Sequence, residues 1–318
     1  MNNPSDQPID EVEQRVWLAE HKAITGLSWT DLSKRTGIAT GTISQFGVGT
    51  YKGDNVGLAR KIFQYRQHLI SQAEIEIEAP KIPGYFDTPT SRQIMTALRL
   101  AQRGRIVVVA TGPGTGKTVT TREYRERVSN VWQATISPSC ASVVSMQVEV
   151  LAALGERDAM GTPQRLSRRI KERVRETGGL IAIDEAQHLT ERSIEEIRSW
   201  HDATGIGIAL LGNETVLSRI EGGSRKAAYA QLYSRVGFKM VQNLPTSGDA
   251  EALADAWNIT DDKQIAFITK VAAKPGGLRG CTFMLELAAM LAAGEARRTR
   301  LSDLQDAWTQ LSSRPVPA

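Results

Sequence analysis

Long apolar runs are scarce in this 318-residue chain. Stretches such as Ile106–Ala110 and Ile206–Leu211 fall far short of the ~18 residues that span a bilayer, so no membrane segment is predicted. Residues 1–13 are polar and acidic, without a basic-then-apolar pattern, so no secretory leader is read there and a cytoplasmic protein is expected. Cysteine is nearly absent. Cys140 and Cys281 lie far apart without metal-ligand spacing, which gives a disulfide framework or zinc site no support; both are expected as buried small side chains. Aromatic residues make up only 6% of the chain, and no internal repeat or low-complexity tract is visible. What is there, 41% hydrophobic and 23% charged residues, is the make-up of a folded soluble protein. At roughly 150 residues per domain the length argues for about two domains. The net charge of +4 permits an anionic partner without demanding one.

Punctuation divides the chain. Residues 1–72 are predicted as a small helical domain, and 73–84 as a linker in which Glu74-Ile-Glu-Ile-Glu-Ala-Pro80 alternates acid and apolar before Pro83. Residues 85–245 repeat strand, glycine-rich turn and helix, with apolar runs suited to strands buried on both faces of a parallel sheet. Residues 246–318 carry apolar residues at helical spacing and are predicted as a small helical unit. The fold class expected is α/β.

Thr111-Gly-Pro-Gly-Thr-Gly-Lys-Thr118 directly follows the strand Ile106–Ala110 and precedes a helix-compatible stretch. This is a phosphate-binding loop in all but one position. Gly112, Pro113, Gly114, Thr115 and Gly116 wrap backbone N–H groups around phosphates, Lys117 neutralises the outer ones, Thr118 ligates Mg²⁺, and Val119 continues into the helix. The full pattern has glycine where Thr111 stands, so a different backbone angle is expected at the start of the loop. Further on, Leu180–Ile183 ends in Asp184-Glu185, where Asp184 would hold Mg²⁺ and Glu185 would polarise the attacking water. Asn213, after the strand Ile206–Leu211, is assigned as a sensor of the terminal phosphate. Arg235 closes a predicted helix, placed to reach a neighbouring subunit's nucleotide as a finger in trans, and Arg279 opens a lid helix as a second sensor.

In this order the elements resemble AAA+ ATPases: a P-loop core with a parallel sheet and a helical lid. Asn130-Val-Trp with Ile136-Ser-Pro-Ser-Cys-Ala-Ser-Val143, Leu232-Tyr-Ser-Arg235 and Lys274-Pro-Gly-Gly-Leu-Arg279 further resemble the family of transposition protein B of phage Mu and its prophage relatives, over most of the chain. That resemblance implies an ATP-dependent protein that binds double-stranded DNA, forms a filament or ring on it, recruits a transposase and is cleared by hydrolysis. It also implies that the segment from Tyr85 lies beside the adenine, which nominates Phe86 and Thr90. Two other roles stay open, another AAA+ DNA helper and a nucleotide-sensing regulator.

Two regions are read as facing DNA. Trp29–Gly37 followed by Ile38–Ile43 reads as helix-turn-helix, with Leu32 and Ile43 buried, Gly37 at the turn and Thr40 capping the second helix. Thr40, Thr42, Ser44 and Gln45 then face a groove, and Lys34, Arg35 and Lys52 face phosphates; a helical module for protein contacts is the alternative. In Arg165–Arg175, Leu166, Ile170 and Val174 bury one face and leave six basic residues outward, Arg165, Arg168 and Arg169 among them. This is either a track for a DNA backbone or a solvated helix face. Arg157 lies in the preceding loop, Gly155–Pro163, which otherwise lacks a run of basic residues. Gly222-Gly-Ser-Arg-Lys226 is a further basic loop of open role, His188 is read as structural, and Arg297–Arg300 as a solvated turn.

Overall fold

The computed structural model describes residues 9–78, 82–216, 235–294 and 297–312. The chain divides into two compact units, Met1–Ala79 and Pro80–Ala318.

The first unit holds α1 (Glu11–Thr25), α2 (Trp29–Thr36), α3 (Thr40–Gly47) and α4 (Asn55–Glu78). Their shared core contains Leu18, Leu32, Ile43, Phe46 and Ile62, all fully buried. Ser28 and Asp31 form a reciprocal capping box that starts α2, and Gly37 closes it. Three residues, Gly37–Ala39, then turn the chain into α3. Thr40 does not cap that helix: the Ala39 carbonyl already accepts the first helical bond, from the Ile43 N–H at 3.0 Å, so Thr40 is helical. The stretch read as the start of a linker continues α4 to Glu78. Glutamate is a good helix former, which suits this acid-rich stretch to the helix.

The second unit is built on a five-stranded parallel sheet: β1 (Ile106–Thr111), β2 (Val131–Thr135), β3 (Leu180–Asp184), β4 (Gly207–Gly212) and β5 (Val236–Gln242), in the order β2-β3-β4-β1-β5. Every residue of β1, β3 and β4 is buried, as expected of strands covered on both faces. Strand alternation sends Ile106, Val108 and Ala110 towards α7 (Val143–Ala153), α8 (Pro163–Val174) and α9 (Glu191–Thr204). Val107 and Val109 face α5 (Pro89–Gln102) and α6 (Lys117–Arg127). On the first side Trp200 is fully buried, and its indole N–H reaches Glu196 at 2.8 Å; truncating it to alanine would cost about 3–5 kcal/mol.

After β5 come α10 (Ser247–Ala256), α11 (Asp262–Ala272), α12 (Gly277–Ala293) and α13 (Leu301–Leu311), packed around Leu253, Ile268, Met284, Leu285 and Leu304. Cys281 is buried in this cluster, and burial pushes its thiol up to about 12. Cys140 is only half-buried. Arg297 is not a solvated turn residue: its guanidinium grips Asp303 through two bonds of 2.5 and 2.7 Å. No helix among the described residues is long and apolar enough to cross a membrane.

Candidate nucleotide site

At the carboxyl edge of the sheet, the loop after β1 runs straight into α6, whose N-terminal N–H groups lack helical partners and favour an anion. Thr111 remains strand, paired with Gln242 of β5, and its φ is not positive. The threonine therefore carries no left-handed backbone strain. Its hydroxyl lies 2.7 Å from that of Thr115, which in turn donates to the Gly112 carbonyl at 2.8 Å. Gly114 has φ +75°, and a Cβ there would stand 1.9 Å from the Gly276 carbonyl oxygen. Only glycine fits both demands. The Leu278 N–H donates to the Gly114 carbonyl at 3.0 Å, so the lid is hydrogen-bonded directly to the phosphate loop.

The Lys117 ammonium donates to the Thr111 and Gly112 carbonyls at 2.6 and 3.0 Å. Burial pulls its pKa below the usual lysine range; Asp184 and Glu185 oppose that and Arg279 adds to it. An anionic group brought to this ammonium favours its charged form. Thr118 donates to Asp184 Oδ2 at 2.9 Å, and the Gln133 amide reaches the same oxygen at 3.3 Å. Among the described residues no three His, Cys, Asp or Glu side chains form a metal cage. The Thr118–Asp184 pair is instead the type that small divalent cations take when water and substrate oxygens complete their shell. Glu185 adopts the left-handed conformation, φ 56°, steadied by its own N–H donating to Asp184 Oδ1 at 3.0 Å. Such a backbone costs about 1–3 kcal/mol for a non-glycine residue and gathers at functional sites.

These groups open on a cavity of about 350 Å³. Pro113, Gly114, Thr115, Gly116, Lys117, Thr118 and Val119 line it, with Phe86, Glu185 and Arg279 from three other segments. Gly112 does not reach it, being packed against the Asn243 carbonyl. Asp184 lies behind Thr118, within hydrogen-bond reach of the site but off the cavity wall. Asn213 is also off the wall; its side chain accepts the Thr215 N–H at 3.0 Å, as a turn residue does. Thr90 is not beside the cavity. Its hydroxyl is spent on Asp249 Oδ2 at 2.5 Å and accepts the Gln242 amide at 2.6 Å, tying α5 to α10 and β5. Burial pushes the Asp249 carboxyl up, but bonds from Thr90, Thr246 and Thr88 outweigh it and hold it below the usual range.

Thr282 and Phe283 line the cavity without having been nominated. They lie on the lid helix, and their only sequence signal was nearness to Arg279. Gln133 was missed for the same reason: nothing in β2 marks it until β3 is laid alongside.

Arg235 lies at the opposite edge of the sheet, one residue before Val236, which pairs with Ile106. It pairs with Asp202 at 2.9 Å and is separated from the phosphate loop by the length of β1, roughly 20 Å. The helix expected before it, with Leu232–Ser234, and the basic loop Gly222–Lys226 lie outside the described residues. In α8, Leu166, Ile170 and Val174 are buried while Arg165 and Arg168 are exposed. Arg169 and Arg173 both pair with Glu156, so the outward charge is smaller than the sequence suggests. Arg157 is exposed. In the first unit, Lys34, Arg35, Thr40, Gln45 and Lys52 are exposed, and Thr42 and Ser44 are half-buried. His188 ends a short turn after Glu185 and does not line the cavity.

A parallel sheet of this order, a phosphate loop after β1, an Asp-Glu pair after β3 and a lid hydrogen-bonded to the loop define a P-loop ATPase of the AAA+ class. A family model described as "AAA domain" matches residues 99–220, and one described as "Mu B transposition protein, C terminal" matches residues 234–311. The ATP-dependent target DNA activator B of Escherichia phage Mu is 38% identical over 285 residues, covering 89% of this chain and 90% of that protein. The Mu-like prophage FluMu DNA transposition protein B of Haemophilus influenzae is 33% identical, over 82% and 91%. Among solved structures, the Aeropyrum pernix ORC2 protein shares the fold, with TM-score 0.56 at 14% identity over 74% of this chain and 71% of that one. The chain belongs to the phage Mu B transposition protein family.

Proposed function

We propose that this protein is an ATP-dependent activator of target DNA in transposition: it assembles on double-stranded DNA with ATP, presents that DNA to a transposase, and is released by hydrolysis. The observation that carries the proposal is the convergence of the phosphate loop, Glu185 and lid residue Arg279 on one cavity, in a chain whose relatives are named for target DNA activation. Lys117 and the loop N–H groups bind the phosphates. Thr118 and Asp184 would hold Mg²⁺, whose charge would offset that of the phosphates. Glu185 takes a proton from the attacking water, a role worth about 10²–10⁴ in rate. Asn213 stands at the tip of β4 as a sensor, and Arg279 reads phosphate state from the lid. Arg235 completes the site of a neighbouring copy, because it lies too far from its own loop to act there. ATP then joins subunits, and turnover separates them.

For DNA, the exposed Arg157, Arg165 and Arg168, with Arg169 beside them, form one contact surface. The first unit offers a second: Thr40, Thr42, Ser44 and Gln45 in a groove, flanked by Lys34, Arg35 and Lys52. Small hydroxyls make few bidentate base contacts, so sequence preference is weak. A cytoplasmic setting follows from these partners.

The test is ATP hydrolysis with and without non-specific duplex DNA, with particle size followed by light scattering. DNA-stimulated hydrolysis together with large, ATP-dependent, salt-sensitive assemblies is expected. A protein whose hydrolysis and size ignore DNA, and which footprints one operator, would instead be a nucleotide-sensing regulator.

A further inference from the structure

Gln187 lies two residues past Glu185, in the short turn Ala186–His188. Its side-chain amide N–H donates to Glu185 Oε2, while its amide oxygen accepts the Asn213 backbone N–H at 3.4 Å. One side chain thus spans from the carboxylate on the cavity wall to the tip of β4. A carboxylate accepts only and a backbone N–H donates only, so a bridge between them needs a donor and an acceptor on one planar group. Among side chains of this reach, the glutamine amide supplies that; glutamate, lysine and methionine do not.

The fold makes room for this bridge. Gly212 ends β4, and a Cβ at that position would stand 2.5 Å from Gln187 Oε1 and equally close to Val216 Cγ2. With glycine there, the amide fits against the strand tip. Glu185 itself holds a left-handed backbone that sets the direction of its carboxylate, and a strained aim of this kind persists only where neighbours over-determine it.

We infer that Gln187 is a positioning residue for hydrolysis: it clamps the Glu185 carboxylate in the cavity and ties its placement to the Gly212–Asn213 tip of β4. A displacement of that tip is passed to Glu185 through one amide. The inference rests on the reading of Glu185 as the group that activates water, and it adds a residue that does not line the cavity.

The experiment uses the full-length protein with ATP and duplex DNA. Gln187→Met, which keeps length and volume, and Gln187→Ala are expected to lower kcat roughly tenfold to a hundredfold, the scale of a misplaced catalytic group. KM for ATP and the affinity for a fluorescent ATP analogue stay within about twofold, since binding does not use this clamp. Gln187→Glu loses the donor, sets a second carboxylate beside Glu185, and falls further than Gln187→Met. In a Glu185→Gln background, single-turnover hydrolysis is expected to show no additional loss from Gln187→Met, because two residues acting as one unit are not additive. Wild-type kcat in Gln187→Met, or an undiminished extra loss in the Glu185→Gln background, overturns the inference. The two readings fail separately. If Glu185→Gln turns over normally, the role of Glu185 falls and the clamp with it; if Glu185→Gln is crippled and Gln187→Met is not, the clamp alone falls.

Discussion

The nucleotide cavity and the exposed arginines are made in opposite ways. Around the cavity the central polar groups have partners in the same chain: Lys117 with the Thr111 and Gly112 carbonyls, Thr118 with Asp184, Glu185 with Gln187. Segments as distant as Pro83 and Phe283 meet there. The arginines stand on single elements and face outward. Those that do find partners are Arg169 and Arg173 on the half-buried Glu156 and Arg235 on Asp202. One region is braced by contacts within its own chain, and the other faces outward.

The sharpest way to break that contrast is at Arg235. Removing it with Arg235→Ala should lower DNA-stimulated kcat by about 10³, the usual worth of an arginine finger, with ATP binding unchanged in a fluorescence titration. Lost ATP binding would place this arginine with the cavity groups instead.

A smaller effect sharpens the other side. Asp249 ties the lid to the core, and its carboxyl sits below the usual value in the folded protein. That depression stabilises the fold above the ordinary carboxylate range, and the contribution is lost as pH falls through the folded value. Asp249→Asn is therefore expected to cost about 1–3 kcal/mol at neutral pH and to flatten the acid limb of stability below about pH 4, read by denaturant unfolding across pH. An unchanged acid limb would remove the strap role. Smallest is Arg168→Ala, which should reduce the slope of log affinity for duplex DNA against log salt by about 0.9 and leave ATPase without DNA untouched. An unchanged slope would return α8 to a solvated helix face.

The two regions also differ in how legible they were. Phosphate-loop chemistry is local: glycine spacing, Lys117 and Thr118 sit in eight consecutive residues, and the buried strands show as unbroken apolar runs. The lid helices were visible from the helical spacing of apolar residues after residue 246. What stayed hidden was set by chain crossings. Thr90 was nominated beside the adenine, but its hydroxyl goes to Asp249, 159 residues on. Phe283 and Gln133 reach the site only through the lid and the β2–β3 pairing. Glu156 gave no sign that it would neutralise two arginines of α8. The charge of a surface is legible in sequence, but its availability depends on which carboxylates fold back onto it.

The most direct test of a site finished by a neighbour is subunit mixing. Lys117→Ala lacks a working cavity but keeps Arg235, and Arg235→Ala has the converse defect, so each alone is expected to be nearly inactive. Mixed in equal amounts with DNA and ATP, they should recover about a quarter of wild-type hydrolysis, the share of random neighbours that unite an intact cavity with an intact arginine. A mixture no more active than the sum of its parts would contradict the account and confine Arg235 to its own subunit.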